Sequence, residues 1–462
     1  MLTVYLDKNI YSYFLSTPID PTYQRFLDYL NSNVSNFLVF YSYAHIEDLK
    51  QSSSTMIGQN LAIIEKIAKN NYCYYDSNKN KFCVGFYTPK EVFDCQEDLL
   101  PIIDKLIQLD GLDMFLTPEI KEQLEQLKKN WEKSEMNEKI DEKNLSLLDK
   151  VFPTDIAQLS INDLLRESYL KLREFSQNNS IYREFRSISN DTINKGKFTI
   201  DLEKIDFDKD LKGSPLQKSF LEYVRITLDK GENDEILRYD HHTAAYVGLD
   251  ILGLNMDKKV KFNNLLVDAN HSYFGAHFDY VVSNDHGFVI KSRALYKLLG
   301  ISTKVLLPEE FLAEAFKAEI SIENSETDFI KKLDFDVKNC LIKRHNVIGN
   351  KQELEYKIDH HYLSYFNTVV YITQFNTKKI LFKKEDPIYL QNRVYAKIII
   401  EITRKCINLF GIDSLGLGEL KLDEEFKEPE KGYWTGRNWE RNDCIINLRM
   451  VEKRLELSIT YF

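Results

Sequence analysis

Cysteine is scarce in this chain and follows no pairing pattern. The 462 residues include six cysteines, and no two of them form a C-x-x-C pair. This distribution argues against a disulfide framework and against a zinc knuckle, and it fits a reducing compartment. We therefore expect a cytoplasmic protein. The cysteines are Cys73, Cys83, Cys95, Cys340, Cys406 and Cys444.

Long hydrophobic runs are also missing. No stretch reaches the roughly 18 consecutive apolar residues that a membrane-spanning helix needs. The first residues, MLTVYLDKNIYSYF, lack the basic segment of a signal peptide and run directly into a strand pattern. The sequence therefore predicts a protein without a signal peptide and without a membrane partner.

The chain has no excess of positive charge. It contains 61 Lys and Arg residues against 71 Asp and Glu residues, which gives a net charge of −10. Proteins that bind nucleic acid through charge alone are usually basic, so that class is disfavoured. An acidic balance is compatible with a nuclease, because carboxylates that hold metal ions contribute to it.

Motifs of covalent catalysis and of phosphate loops are not found either. The sequence has no G-x-S-x-G motif and no Cys/His arrangement typical of a nucleophile. The GLG at 416–418 lacks both the spacing and the lysine of a phosphate-binding loop. The chemistry must therefore be sought in other residue types.

The length predicts two or three domains. Residues 2–6 and 37–41 read as buried strands, each followed by a helix, and strand–helix alternation resumes from about residue 235. Such alternation predicts a parallel sheet with helices on its faces. We assign residues 1–100 and 235–318 to one α/β domain, although they are far apart in the sequence.

The other two segments have different patterns. Residues 101–234 predict a helical insertion, with Thr117 and Pro118 at the start of one amphipathic helix. Residues 319–462 predict a C-terminal α+β domain, with strands in TVVYITQF and KKILFKK and a long helix at 389–410. The alternating end of this segment, CIINLRMVEKRLELSITYF, predicts an antiparallel hairpin.

Several carboxylates follow strands or lie early in helices. Asp7 and Asp285 come directly after predicted parallel strands, whose carboxyl ends meet at one edge of a sheet. Asp268 lies in the helix before the second of these strands, and Asp48, with Glu47 as the alternative, lies in a helix capped by Ser42. Carboxylates in one cleft repel each other unless a cation is present. We therefore predict a Mg²⁺ or Mn²⁺ site.

Three segments carry a resemblance to a known family. VYLDKNI at 4–10, YSYAHIEDL at 41–49 and DANHSYFGAHFDYVVSNDHGF at 268–288 resemble, in order, the acidic motifs of PIN-domain nucleases. Lys8 and Gly287 depart from the pattern, because a small residue and a second Asp often stand there. The resemblance implies a PIN-like parallel-sheet domain, here split by the helical insertion and followed by the α+β domain.

The resemblance also implies an activity. The chain would be a metal-dependent endonuclease in which Asp7, Asp48, Asp268 and Asp285 are the catalytic metal ligands. Cleavage would leave a 5′-phosphate and a 3′-hydroxyl, with RNA preferred to DNA. The two additional segments suggest a toxin or phage-defence effector, and a homo-oligomer or a regulatory protein partner is compatible with them.

Four further residues are candidates for substrate binding, and each has a structural alternative. Asn9 could orient the metal ligands or cap a helix, and Ser283 could contact a phosphate or complete a turn. His271 lies one turn after Asp268 and His45 one turn before Asp48, and either could contact phosphate or simply be packed.

The sequence leaves two other interpretations open. The first is a catalytically inactive PIN-like scaffold that binds other proteins, and the second is a DNA nuclease. In the C-terminal segment, YWTGRNWERND at 433–443 interleaves tryptophan with arginine, which suits base stacking in a nucleic-acid site or a hairpin loop with an exposed tryptophan.

Overall fold

Two β-sheets organise the chain in the computed structural model. The structure describes residues 1–50, 52–95, 158–189, 217–228, 238–252, 262–320, 325–375, 377–385, 392–421, 436–452 and 454–462, with single positions at 122, 150, 153, 212, 425 and 434. One sheet contains the strands of the two α/β segments, and the other contains the strands of the C-terminal segment.

The first sheet has six strands in the order β4-β3-β2-β1-β5-β6. All neighbouring strands are parallel except β3 and β4, which form an antiparallel hairpin at the edge. The predicted parallel sheet is thus confirmed, with one antiparallel strand added at this edge. Its strands are β1 (Leu2–Leu6), β2 (Phe37–Ser42), β3 (Asn71–Asp76), β4 (Lys81–Phe86), β5 (Tyr280–Val282) and β6 (Lys304–Leu306).

Helices from both α/β segments pack on the two faces of this sheet. The helices that precede the described part of the insertion are α1 (Lys8–Phe14), α2 (Pro21–Ser32), α3 (Tyr43–Lys50), α4 (Ser54–Ala68) and α5 (Pro89–Asp94). The helices of the second α/β segment are α9 (Arg238–Ile251), α10 (Phe262–Gly275), α11 (His286–Leu299) and α12 (Pro308–Ile320).

The central strand β1 is buried on both faces. Val4 and Leu6 belong to a core with α1, α2, α4 and α12, whereas Tyr5 points into a second core with α9, α10 and α11. Successive strand residues point to opposite faces, so a continuous apolar run is what a doubly covered strand requires.

The split α/β domain is confirmed. Strand β1 pairs in parallel with β5, with Val4 opposite Tyr280, although the two strands are separated by more than 270 residues of sequence. The described part of residues 101–234 is helical, with α6 (Ile161–Gln177), α7 (Asn179–Ser189) and α8 (Phe220–Thr227). The helix predicted to start at Thr117 lies outside the described residues, apart from position 122.

The predicted C-terminal α+β domain is also confirmed. It holds a seven-stranded antiparallel sheet in the order β11-β12-β13-β10-β9-β8-β7. The predicted long helix and terminal hairpin are present, whereas β7 and β8 were not predicted. The elements are α13 (Glu326–Asn339), β7 (Ile342–Ile348), β8 (Lys351–Tyr362), β9 (Phe366–Gln374), β10 (Thr377–Lys383), α14 (Asn392–Phe410), β11 (Arg437–Glu440), β12 (Cys444–Val451) and β13 (Arg454–Tyr461).

Asp279 joins the two sheets. Its carboxylate accepts hydrogen bonds from the backbone and hydroxyl groups of Thr3, at 2.8 and 2.9 Å, and from the Lys384 ammonium at 2.6 and 2.8 Å. The side chains of Asp279 and Lys384 are 9% and 8% exposed. Burial alone raises the pKa of Asp279, but Lys384 and His361 outweigh burial and hold it well below the usual value.

Within the described residues, no helix is both long enough and apolar enough to cross a membrane.

Replacing Lys384 tests this junction. Lys384→Met leaves a buried carboxylate without its cation, and we expect the free energy of unfolding to fall by about 3 kcal/mol at pH 7. Because the pKa of Asp279 is lowered, its stabilisation is complete above the ordinary Asp pKa and is lost as the pH falls toward the lowered one. The difference between the two proteins should therefore shrink below about pH 4.

Calorimetric unfolding over a pH series measures the effect. The matched control is Lys351→Met, which removes a lysine paired with Glu353 at 2.6 Å on the surface, where side chains are 38% and 27% exposed. That change should alter stability by less than about 1 kcal/mol. Equal effects of the two substitutions would contradict the role assigned to Lys384.

Candidate metal centre

The candidate site lies where the strand order reverses. From β1 the chain builds β2 and β3 on one side, and from β5 it builds β6 on the other. The crevice outside the carboxyl ends of β1 and β5 is the place where open α/β sheets bind ligands. Asp7 follows β1, Ser283 and Asp285 follow β5, and the Asp7 backbone N–H donates to the Val282 carbonyl at 2.9 Å.

The Asp7 carboxylate is buried and held from one side. Its Oδ2 accepts hydrogen bonds from Asn9 Nδ2 at 2.7 Å and from Ser283 Oγ at 2.5 Å. Burial raises the pKa of Asp7. His271 and the Ser283 hydroxyl oppose this rise, whereas the charges of Asp48 and Asp285 add to it. Asn9 and Ser283 thus fix the carboxylate with Oδ1 left for another partner.

His271 and Asp48 complete a compact group with Asp7. The His271 Nε2 atom lies 3.5 Å from Asp48 Oδ2 and 4.0 Å from Asp7 Oδ1, and one ligand atom from each residue falls within 4.8 Å of the others. His271 is 1% exposed, and its Nε2 makes no hydrogen bond in the part of the chain that the structure describes. The Asp48 side chain is 34% exposed, so the group is open to solvent on that side.

Helix packing brings these residues together. Asp48 lies on α3, which follows β2, and His271 lies on α10, which precedes β5, and the two helices pack against each other. Glu47, the alternative to Asp48, has its Oε1 2.7 Å from the Lys50 ammonium and is not a member of the group. Adjacent helix positions are about 100° apart around the axis, which is why the two acids separate.

Asp268 is electrostatically coupled to the group. It lies one turn before His271 on α10, so both side chains share a helix face. Burial raises its pKa well above the usual value, and the charges of Asp7 and Asp285 raise it further against the effect of Lys291. Asp268 and Asp285 are thus electrostatic neighbours of Asp7, but neither is a member of the compact group of Asp7, Asp48 and His271.

Asp285 has a structural task as well. Its Oδ1 accepts a hydrogen bond from the Phe288 N–H at 2.9 Å, so it caps helix α11, and its own N–H donates to Ser283 Oγ at 3.0 Å. A negative charge at a helix N-terminus is favourable. Both readings of this residue, turn or ligand, are thus compatible with its position at the crevice.

His45 lies behind the crevice. It is fully buried, with Nε2 donating to the Leu6 carbonyl at 2.7 Å and Nδ1 accepting from the Ser42 N–H at 3.0 Å. Burial lowers its pKa well below the usual value, and His271 lowers it further. Since both ring nitrogens are already hydrogen-bonded, the structure places His45 among the supports of the site; its predicted substrate contact has no support in this geometry.

Tyr5 and Ser42 have roles at the site that the sequence did not predict. The Tyr5 hydroxyl lies 2.7 Å from His271 Nδ1 and 2.6 Å from Ser42 Oγ, and all three side chains are buried. The sequence predicts Tyr5 only as part of an apolar strand. The available signal was the strand period of two, which puts Tyr5 on the same face as Asp7.

Three side chains of the tryptophan–arginine segment near the C-terminus belong to the core. Trp434 and Trp439 are 3% and 0% exposed, and the buried Arg437 pairs with Glu425 and with Asp413, whose Oδ2 lies 3.5 Å from its Nε. The base-stacking interpretation and the exposed tryptophan of the hairpin-loop alternative are therefore both wrong.

Comparison with known proteins adds no family, because no family model, no curated protein and no solved structure matches this chain. The resemblance to PIN-domain nucleases therefore rests on the motif residues alone.

Proposed function

We propose that this protein is a nuclease that depends on a divalent cation, Mg²⁺ or Mn²⁺, with RNA preferred to DNA. The observation that carries the proposal is the partly buried Asp7–Asp48–His271 group at the point of strand reversal. The coupled charges of Asp268 and Asp285 beside it support the same conclusion. The preference for RNA and the comparison with PIN-domain nucleases depend on the motif resemblance.

The residues present fit a cation. Asp7 and Asp48 are like charges whose repulsion adds to the raised pKa of Asp7, and His271 Nε2 is buried without a hydrogen bond among the described residues. A cation between them removes the repulsion and gives the nitrogen a partner. Asp7, Asp48 and His271 would hold one ion, and Asp268 and Asp285 would extend the site toward a second.

The chain's own residues would bind and orient. When bound, divalent cations supply a water of lowered pKa and stabilise the charge that develops on a phosphodiester. Asn9 and Ser283 keep the Asp7 carboxylate in one orientation. The reaction adds the oxygen of water to phosphorus and breaks the bond from phosphorus to the 3′ oxygen, which takes up a proton. The ends are then a 5′-phosphate and a 3′-hydroxyl.

Cleavage assays on the full chain test the proposal. We expect labelled single-stranded RNA to be cut in Mg²⁺ or Mn²⁺ and not in EDTA, and DNA to be cut more slowly. Asp285→Asn should reduce the rate by about 100-fold or more, because even outer partners of a metal ligand are worth 10- to 100-fold. Folding should survive, since Asn caps a helix about as well as Asp.

The matched control is Asp28→Asn, which changes an exposed carboxylate on α2 that accepts a hydrogen bond from Gln24. It should cut as fast as the parent. An Asp285→Asn protein with the parent's rate would show that this residue is only a helix cap. Binding of cation without cleavage of RNA or DNA would favour the inactive scaffold instead.

A stability measurement tests the crowding of charge. Because the pKa of Asp268 is raised in the folded protein, its ionisation opposes folding, and stability is lost as the pH rises from the ordinary Asp pKa through the raised one. In EDTA at pH 7, Asp268→Asn should therefore have a higher melting temperature than the parent. The rise should be about 2–4 °C for each kcal/mol gained in the free energy of unfolding. Near pH 3 the Asp268 carboxyl is protonated and is as neutral as the amide that replaces it. The two proteins should then have the same melting temperature.

Scanning calorimetry with and without Mn²⁺ makes the test complete. Mn²⁺ should raise the melting temperature of the parent and have a smaller effect on Asp268→Asn, since a ligand stabilises only the state that binds it. A lower melting temperature for Asp268→Asn in EDTA at pH 7 would mean that its carboxylate has a structural partner.

A further inference from the structure

We infer that Tyr5 holds His271 as a nitrogen ligand, and that this nitrogen makes the centre prefer first-row transition cations such as Mn²⁺ to Mg²⁺. The inference rests on the proposed metal centre and concerns its selectivity. It adds to the four carboxylates an imidazole and a buried phenol that the motif resemblance does not supply.

The first step is the position of the imidazole. His271 Nε2 lies 3.5 Å from an Asp48 oxygen and 4.0 Å from an Asp7 oxygen, distances that are too long for hydrogen bonds and suited to a shared cation. The ring is 1% exposed, so bulk water cannot serve as its partner. The nitrogen therefore faces two carboxylates across a gap that an ion would bridge.

The second step is the location of the protons. Neutral imidazole carries one N–H, and Nε2 can bind a cation only if that proton is on Nδ1. Nδ1 lies 2.7 Å from the Tyr5 oxygen. This oxygen can accept a hydrogen bond from the Nδ1–H if Tyr5 donates its own hydroxyl hydrogen to another acceptor. Ser42 Oγ lies 2.6 Å from the same oxygen and can accept it. The chain His271–Tyr5–Ser42 thus has a proton arrangement that leaves Nε2 with a free lone pair.

The third step is the rigidity of Tyr5. Its ring is fully buried, stacked on Phe278 with centroids 5.7 Å apart, and in edge contact with His45 at 5.0 Å. The hydroxyl is therefore fixed between His271 and Ser42. A partner of this kind on the second ring nitrogen orients a ligating histidine and sets its tautomer.

Selectivity follows from the donor set. Mg²⁺ prefers oxygen ligands and gives up its waters reluctantly, whereas imidazole nitrogen is a favourable ligand for first-row transition ions. A centre of carboxylates alone would discriminate less between Mg²⁺ and Mn²⁺. If His271 is a ligand, the ratio of the Mg²⁺ and Mn²⁺ dissociation constants depends on its nitrogen. Tyr5 is then a positioning residue, because it affects that ratio through the orientation of His271.

Calorimetric titration of the full chain with Mn²⁺ and with Mg²⁺ tests the inference. Tyr5→Phe keeps the ring and removes the hydroxyl, and it should weaken Mn²⁺ binding about 10- to 100-fold while Mg²⁺ binding changes less than about 3-fold. Ser42→Ala, which removes the acceptor of the Tyr5 proton, should shift the ratio in the same direction. His271→Asp should abolish most of the preference for Mn²⁺.

The matched control is Tyr41→Phe. Tyr41 lies on the neighbouring strand β2, is fully buried, and donates its hydroxyl to the Tyr87 carbonyl at 2.6 Å. Its replacement removes a partly buried tyrosine hydrogen bond outside the metal group, and the ratio of the dissociation constants should stay as in the parent. A general loss of packing would instead weaken both cations in every variant.

Pulsed electron paramagnetic resonance of bound Mn²⁺ gives a readout that is independent of cleavage. We expect a nitrogen coupling in the parent and in Tyr41→Phe, and its loss in His271→Asp. Absence of this coupling in the parent, or equal weakening of Mn²⁺ and Mg²⁺ by Tyr5→Phe, overturns the inference even if RNA is cut. A nitrogen coupling in a protein that cuts no nucleic acid upholds the inference and rejects the proposed nuclease.

Discussion

The parallel pairing of β1 with β5 is the interaction on which the rest of the structure depends. It joins the start of the chain to a strand more than 270 residues later, and it creates the reversal of strand order where Asp7 meets Ser283 and Asp285. Both ends of this pair are fastened by carboxylates. Asp279 accepts from Thr3 and Lys384 at one end, and Asp7 accepts from Asn9 and Ser283 at the other.

The two ends show opposite electrostatics. Asp279 has a buried cation as its partner, so its pKa is lowered and its charge stabilises the fold. Asp7 has hydrogen-bond donors but also faces other carboxylates, and its pKa is raised. Such a pattern separates a structural carboxylate from a functional candidate, since perturbed groups in a cleft are typical of sites that bind ions or react. The charge of Asp279 therefore stabilises the β1–β5 pair at one end, whereas the charge of Asp7 is unfavourable at the other.

Much of this fold could be predicted from the sequence, because apolar strand runs and helix periodicity are local signals. The convergence of Asp7 and Asp285 could also be predicted, since a parallel sheet gathers its strand ends. Other features depend on contacts between distant elements. The choice of Asp48 over Glu47 is set by how α3 packs on α10. The antiparallel pairing of β4 with β3 is instead a local feature, because the connection at 77–80 is too short for a parallel crossover. Trp439 lies in a polar segment yet is fully buried, with its ring beside Phe410 and its indole N–H donating to the Gly411 carbonyl.

Tyr5 belongs both to the hydrophobic core and to the candidate site. Its ring packs in the core formed with α10, while its hydroxyl reaches His271, so a side chain that the strand pattern requires for packing also presents a polar group to the site. A buried phenol needs a hydrogen-bond partner, and the partners here are a serine at the end of β2 and a histidine on α10. An inactive scaffold would have no need for this chain of buried polar groups, since apolar residues of the same shape would pack as well without the risk of an unmade hydrogen bond. Its presence behind two carboxylates therefore favours a centre that holds an ion over a surface that only binds another protein.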